Sequence, residues 1–131
     1  MKISMTSILV DDQDKALDFY TNVLGFVKKS DIPMDEFRWL TVVSPDGSQD
    51  IELLLEPNQN PAAIIYQKAI FDQGIPITMF TVDNLSTEFE RLKREGVAFT
   101  MEPTDMDSVR AAVFSDTCGN LIQLIEHMPG S

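Results

Sequence analysis

The sequence predicts an α+β fold in which two βαβββ modules follow one another along the chain. Three observations predict it: a weak internal repeat, an alternating strand followed by a capped helix in each copy, and a glycine-containing turn between the last two strands of each copy. The repeat places Val10-Asp11-Asp12 over Val82-Asp83-Asn84, 72 residues later. At 131 residues with 44% hydrophobic content, the chain fits a single domain, residues 1–131, whose modules share a core.

Module one is predicted to span residues 1–57. Its first strand, Met5 to Val10, alternates between two faces. Asp11 or Asp12 caps the following helix, which ends at Gly25. The run WLTVVSPDGSQDIELLLEP then predicts two strands joined by a turn that contains the dipeptide DG. The helix carries an apolar stripe at helical spacing, formed by Ala16, Leu17, Tyr20, Val23 and Leu24.

A connecting helix is predicted over 58–75, because Asn60 is a suitable N-cap and Pro61 is tolerated in a first helical turn. Module two, residues 76–128, repeats the order of module one. Its helix is capped by Asp83 or Asn84. The residues predicted to face inward from that helix are Leu85, Phe89 and Leu92.

Composition narrows the classes of partner. Twenty-one acidic residues against ten basic ones give a net charge of −11, which repels nucleic acid and anionic membrane surfaces and leaves cationic small molecules favoured. The N-terminal segment lacks an apolar signal region, and no apolar run approaches transmembrane length, so we expect a cytoplasmic protein. The single cysteine, Cys118, precedes a turn glycine and is expected to be a passive, partly exposed thiol.

Three segments carry a family resemblance: ILVDDQDKALDFYTNVLGF, TVDNLSTEFERLKREGVAF and DTCGNLIQLIE. Together they resemble the vicinal oxygen chelate superfamily, which contains glyoxalase I, extradiol dioxygenases, fosfomycin-resistance transferases and bleomycin-resistance proteins. The last segment includes that family's D-x-x-G-N turn, and the resemblance covers nearly the whole chain. It implies the glyoxalase/bleomycin resistance/dihydroxybiphenyl dioxygenase fold, with a concave cleft between paired modules, and a homodimer.

The resemblance also implies four positions at which relatives hold a divalent metal. By the repeat alignment these are Met5 and Glu52 in module one, and Ile77 and Gln123 in module two. Ni²⁺, Zn²⁺ and Fe²⁺ favour imidazole nitrogen and carboxylate oxygen, and a catalytic site needs about three protein ligands. Only Glu52 keeps that chemistry, so we expect no cofactor, with a divalent metal held in some different way as the alternative.

The two polar residues among these positions each allow two interpretations. Glu52 alternates with Ile51 and Leu53, so it either points into the cleft as a general base or cation-binding group, or is a solvated strand carboxylate. Gln123 either hydrogen-bonds a ligand or Glu52, or pairs with a neighbouring side chain or water.

Trp39 and Arg110 occupy equivalent places in the two modules. Trp39 is either a stacking wall for a ligand or part of the core or a dimer interface, and Arg110 either clamps an anionic group or pairs with one of the many acids. The segments Lys28 to Arg38 and Met101 to Arg110 are expected to be long connecting loops beside the cleft.

The function predicted from these observations is metal-free binding of a small organic, possibly cationic, molecule in the cleft. The predicted ligand-binding residues are Met5, Trp39, Glu52, Ile77, Arg110 and Gln123. The alternative is an enzyme of the same superfamily, a glyoxalase-like lyase or isomerase or a dioxygenase, which uses a metal or Glu52 as a general base. A non-catalytic structural or regulatory partner is the third class.

Overall fold

The computed structural model describes residues 1–129, so the last two residues of the predicted domain, 130 and 131, lie outside the described residues. Strands and helices follow one another in the predicted order, and helix α1 continues into a π-helical turn at Phe19–Val23. The elements are β1 Met5–Val10, α1 Gln13–Asp18, β2 Val27–Met34, β3 Phe37–Val43, β4 Glu52–Pro57, α2 Pro61–Asp72, β5 Thr78–Thr81, α3 Leu85–Arg94, β6 Phe99–Met106, β7 Val109–Ser115 and β8 Leu121–His127.

The chain forms two compact units, and each contains one four-stranded sheet. Unit one comprises Met1–Gln67 and Thr117–Gly119, and its strand order is β1-β4-β3-β2. Unit two comprises Lys68–Asp116 and the described residues from Asn120 to Pro129, with strand order β5-β8-β7-β6. The first pair in each sheet is parallel and the other pairs are antiparallel. The predicted α+β class and its two βαβββ modules are therefore confirmed.

Helix α1 covers one face of the unit-one sheet. It begins where the side chain of Asp12 accepts a hydrogen bond of 3.0 Å from the backbone N–H of Lys15. Cα partners share a face, so the pairing of Ile8 with Leu55 places both under the helix, where both are buried. Residues one step away along each strand lie on the opposite face, which we call the open face.

Helix α3 packs on the unit-two sheet in the same way. Asn84 caps it by accepting from the N–H of Thr87 at 3.0 Å. The prediction that three apolar side chains of this helix face inward is confirmed, because all are buried: Leu85, Phe89 and Leu92. No helix in the part of the chain that the structure describes is long and apolar enough to cross a bilayer.

Two expectations from the sequence are wrong. The segments expected as long loops are hairpin strands, because Asp35 and Asp107 adopt the left-handed conformation, at φ 52° and 48°, and form tight turns between β2 and β3 and between β6 and β7. Cys118 is fully buried, not partly exposed. Its backbone carbonyl accepts hydrogen bonds from the N–H of Asp11 and the side-chain amide of Gln67, so the turn that carries it packs against both of these residues.

Candidate functional site

A cavity of about 660 Å³ lies in unit one. Its volume falls within the roughly 300–1,000 Å³ typical of small-molecule pockets. One wall is the β2–β3 hairpin, and the other is the end of β4 with the residues that follow it. The lining residues are Met34, Asp35, Glu36, Phe37, Arg38, Trp39, Leu54, Glu56, Pro57 and Gln59.

The apolar part of the cavity contains two aromatic rings. Phe37 and Trp39 alternate along β3 and therefore share the open face. Each keeps 37% of its surface exposed, which is unusual for aromatic residues of a folded core. Leu54 lies on the same face because it is two residues from Glu52 and pairs with Thr41 of β3. The cavity therefore offers flat, accessible rings beside an aliphatic side chain.

The charged part of the cavity is acidic. Asp35, Glu36 and Glu56 are exposed carboxylates, and Arg38 is the cation among the lining residues. The Arg38 guanidinium is already neutralised, because Asp31 accepts from its Nε and Nη2 at 3.0 Å each and Asp14 accepts from its Nη1.

The ion pair between Arg38 and Asp31 shifts both groups toward their charged forms. The hydrogen bond from Arg38 lowers the pKa of Asp31 from its ordinary value of 3.8. The same hydrogen bond, with that of Asp14, raises the pKa of Arg38. Two aspartates compensate the charge of this arginine. The electrostatic potential in the cavity is therefore set by the other three carboxylates, Asp35, Glu36 and Glu56, and is negative.

The two strands that wall the cavity are joined by the side chain of Gln13, the first residue of α1. Its Nε2 donates to the backbone carbonyls of Arg38 at 2.7 Å and Leu55 at 2.9 Å. Its Oε1 accepts from the backbone N–H of Arg38 at 3.0 Å. One amide thus links β3 to β4 beside the cavity.

The two predicted module-one ligand positions lie together. Met5 and Glu52 are Cα partners across β1 and β4, so their side chains share the open face. The carboxylate of Glu52 is held at both ends: Oε1 accepts from the Thr41 hydroxyl at 2.7 Å, and Oε2 lies 3.9 Å from Nζ of Lys29. Glu52 is not among the residues that line the cavity.

The module-two positions have a different arrangement. The Cα partner of Gln123 is Met79, while Ile77 lies before β5 begins. The repeat alignment therefore selects Ile77 as the counterpart of Met5, whereas the strand register places Met79, two residues later, beside Gln123. Arg110 donates from Nε to Asp105 at 2.9 Å and from Nη1 to Ser86 at 3.0 Å, so its guanidinium is engaged with neighbouring side chains of unit two.

The donor set does not fit the divalent metal that the family implies. Unit one supplies at this position a thioether from Met5 and a Glu52 carboxylate already bound by a hydroxyl and close to an ammonium group. Unit two supplies the amide of Gln123 beside the thioether of Met79. Residues 1–129 contain no cluster of three or more His, Cys, Asp or Glu side chains arranged to hold an ion. Ni²⁺, Zn²⁺ and Fe²⁺ favour imidazole and carboxylate ligands in greater number.

Of the individually predicted ligand-binding residues, Trp39 lines the cavity, and the segment Lys28 to Arg38, expected beside the cleft, supplies Met34 to Arg38 of its wall. The residues of β4 were missed, although Leu54 and Glu56 alternate with Leu55 and were detectable as side chains on the same strand face as Glu52. Gln13 carried no such signal, because a polar residue in a first helical turn is ordinary.

A family model and a bacterial relative both match this chain over nearly its full length. The family model described as the Glyoxalase/Bleomycin resistance protein/Dioxygenase superfamily matches residues 2–124. The uncharacterized protein YurT of Bacillus subtilis (strain 168) is 60% identical over 126 residues, which cover 96% of this chain and 99% of YurT. The chain belongs to this superfamily, and the resemblance inferred from its sequence is confirmed.

Two solved structures are similar over almost their full lengths. The crystal structure of UcmS2 has a TM-score of 0.84 at 33% identity, covering 96% of this chain and 98% of UcmS2. That of TnmS3, described as an antibiotic binding protein from Streptomyces sp. CB03234, has a TM-score of 0.75 at 29% identity, covering 98% of this chain and 97% of TnmS3.

Proposed function

We propose that this member of the superfamily binds a small aromatic cation in the unit-one cavity, without a metal and without chemical turnover. The observation that carries the proposal is the pair of exposed rings, Phe37 and Trp39, in a cavity whose uncompensated charges are Asp35, Glu36 and Glu56. Flat rings and carboxylates in one pocket are complementary to a planar cation.

The energetic basis is the combination of stacking and charge. A cation over the face of a tryptophan or phenylalanine ring gains about 0.5–2 kcal/mol. Burial of the ligand's apolar surface adds roughly 25 cal/mol per Å² before the costs of association. An anionic ligand of the same shape gains only the free energy of apolar burial, and the carboxylates repel it.

The nature of one similar protein supports binding over catalysis. TnmS3 is described as an antibiotic binding protein, and this chain is 29% identical to it over nearly the full length. A cavity of about 660 Å³ is large enough to accept a small organic molecule of that kind.

The geometry of Glu52 gives no support to the enzyme alternative. A general base must lie within hydrogen-bonding reach of the proton that it removes from the substrate. Glu52 does not line the cavity, and its two oxygens lie beside the hydroxyl of Thr41 and the ammonium of Lys29. Glu52 therefore fits a structural role at the edge of the site better than a catalytic one.

The test is a titration with two dyes of similar size and opposite charge, ethidium and 8-anilinonaphthalene-1-sulfonate. Trp39 is the single tryptophan of the chain, so quenching of its fluorescence reports occupancy of the cavity directly. Isothermal calorimetry gives the affinities. We expect ethidium to bind at least tenfold more tightly than the anionic dye, with 1:1 stoichiometry per chain.

Two variants separate the cavity from general surface adsorption. Trp39→Leu is expected to weaken ethidium binding by about tenfold in calorimetry, since it removes the larger ring. Phe71→Leu is the matched control: Phe71 is also 37% exposed but lies on α2 and does not line the cavity. Equal losses in both variants, or no heat and no quenching with either dye, would reject the proposal.

The enzyme alternative makes its own prediction about metal content. Protein purified without chelators would carry stoichiometric Ni, Zn or Fe, and the metal would disappear in Glu52→Ala. That result would replace the binding proposal with a metal-dependent one. We expect substoichiometric metal, and ethidium affinity unchanged after dialysis against a chelator.

A further inference from the structure

We infer that Gln13 is a positioning residue that holds β3 and β4 apart beside the cavity and so sets the width of the slot in which the ligand lies. The identity of the ligand rests on the proposed function, whereas the separation of the two strands rests on the hydrogen bonds of Gln13 alone.

The β3–β4 ladder ends at Leu54, at the edge of the cavity. Its paired residues are Thr41 with Leu54 and Val42 with Leu53. Three residues further along the same register, Arg38 would stand opposite Pro57. Proline has no backbone N–H, so it cannot donate to the carbonyl of Arg38, and an interior ladder cannot continue through it.

The amide of Gln13 takes the place of the missing pairing. It accepts from the N–H of Arg38 at 3.0 Å and donates to the carbonyls of Arg38 and Leu55 at 2.7 and 2.9 Å. A primary amide carries one acceptor and two donor hydrogens, so it satisfies three backbone groups at once, as an inserted peptide unit would. Strands bridged by a side chain stand further apart than strands joined directly.

Unit two shows the closed form of the same arrangement. There the β7–β8 ladder runs through seven consecutive pairs, from Val109 with His127 to Ser115 with Leu121. The residue that follows the N-cap of α3 is Leu85, which is buried, where Gln13 follows the N-cap of α1. In unit two, the apolar Leu85 at the start of α3 is found with a continuous β7–β8 ladder. In unit one, Gln13 at the start of α1 is found with an interrupted β3–β4 ladder.

The Gln13 bridge fixes both walls of the cavity. Arg38 stands between Phe37 and Trp39 on β3, and Leu55 stands between Leu54 and Glu56 on β4. The backbone groups that Gln13 holds thus belong to the residues between the cavity-lining side chains. Releasing the amide lets β3 approach β4, which narrows the slot between the aromatic wall and Leu54.

The experiment compares the wild-type protein with Gln13→Leu, Pro57→Ala and the double variant. Gln13→Leu alone is expected to lower the midpoint of urea unfolding, because three backbone groups lose their partner. Adding Pro57→Ala introduces an N–H opposite Arg38 and is expected to recover that midpoint by closing the ladder. Gln73→Leu, on an exposed glutamine directly after α2, controls for the change of residue type.

Acrylamide quenching and ethidium affinity are then measured, because a change in stability alone does not alter either quantity in the folded protein. The Stern–Volmer constant for acrylamide quenching of Trp39 is expected to fall at least twofold in the double variant, since the ring becomes enclosed. Ethidium affinity is expected to fall at least tenfold in the double variant. Pro57→Ala alone keeps the Gln13 bridge and is expected to bind ethidium at least fivefold more tightly than the double variant does.

The outcomes separate the two proposals. Unchanged acrylamide quenching in the stable double variant overturns the positioning role of Gln13, whatever the dye does. Reduced quenching in that variant, together with a wild-type protein that binds no ethidium, supports the positioning role and rejects the proposed function. Ethidium binding by the double variant within twofold of wild type overturns the role of Gln13 in setting the slot.

Discussion

The hydroxyl of Thr41 donates a 2.7 Å hydrogen bond to Oε1 of Glu52, from a neighbouring strand of the same sheet. Thr41 is fully buried, and 20% of the Glu52 side chain is exposed. The Thr41 oxygen also accepts from the N–H of Ser30 at 3.1 Å, so one hydroxyl ties β2, β3 and β4 together. The carboxylate at a family metal position is thereby part of the hydrogen bonding of the sheet.

Thr41→Val removes this hydroxyl with little change in shape. We expect the free energy of unfolding to fall by about 1–3 kcal/mol, because the variant leaves a half-buried carboxylate and the Ser30 N–H without their partner. Urea unfolding followed by circular dichroism measures the change. Thr100→Val, on an exposed position of β6, is the control and is expected to change the free energy by less than about 0.5 kcal/mol. Equal effects would mean that the Thr41–Glu52 bond is not stabilising.

Asp31→Asn is expected to destabilise the protein in a pH-dependent way. The hydrogen bond from Arg38 lowers the folded-state pKa of Asp31 below its ordinary value of 3.8. The stability that the ionised Asp31 contributes is therefore fully present above that ordinary value and is lost as the pH falls through the folded-state pKa. The variant should melt below the wild type at neutral pH, and the gap should close in the acid range below about pH 4.

Thermal unfolding at a series of pH values measures that gap. Asp83→Asn, an exposed aspartate in the segment before α3, serves as the matched loss of one carboxylate. A gap between wild type and Asp31→Asn that stays constant down to about pH 3 would show that the ion pair with Arg38 does not account for it.

Gly119→Ala is expected to destabilise unit one strongly. Gly119 has φ +101°, and a Cβ at this position would lie 2.8 Å from Nε2 of Gln67. Gln67 is buried and cannot move away easily, because its amide donates to the carbonyls of Leu9 and Cys118 and accepts from Asn58.

Gly47→Ala is the matched control for that substitution. Gly47 has φ +97°, and a Cβ there would meet nothing within 4 Å. Both variants carry the backbone strain of about 1–2 kcal/mol, and Gly119→Ala is expected to lose roughly 1–3 kcal/mol more from the steric conflict. Urea unfolding of the two variants side by side measures the difference, and equal midpoints would contradict the role assigned to Gln67.

Local sequence signals predicted the elements of the fold well. Asp12 and Asn84 cap helices as expected, and the apolar spacing of α3 identified its buried face, because capping and helical periodicity depend on neighbours a few residues apart. The same reasoning failed at the two hairpins. Proline and charged residues suggested loops there, while Asp35 and Asp107 in fact form tight turns between exposed strands.

The sequence by itself determined the two-module α+β fold, the acidic character of the chain and the poor match of its residues to a family-type metal site. The tertiary structure decided which side chains share the cavity and which backbone groups near it need a partner. These depend on strand register, which pairs residues distant in the chain: it places Glu52 beside Met5 and Gln123 beside Met79. It also leaves Arg38 facing a proline, which is why the amide of Gln13 acquires a role that its own neighbourhood does not reveal.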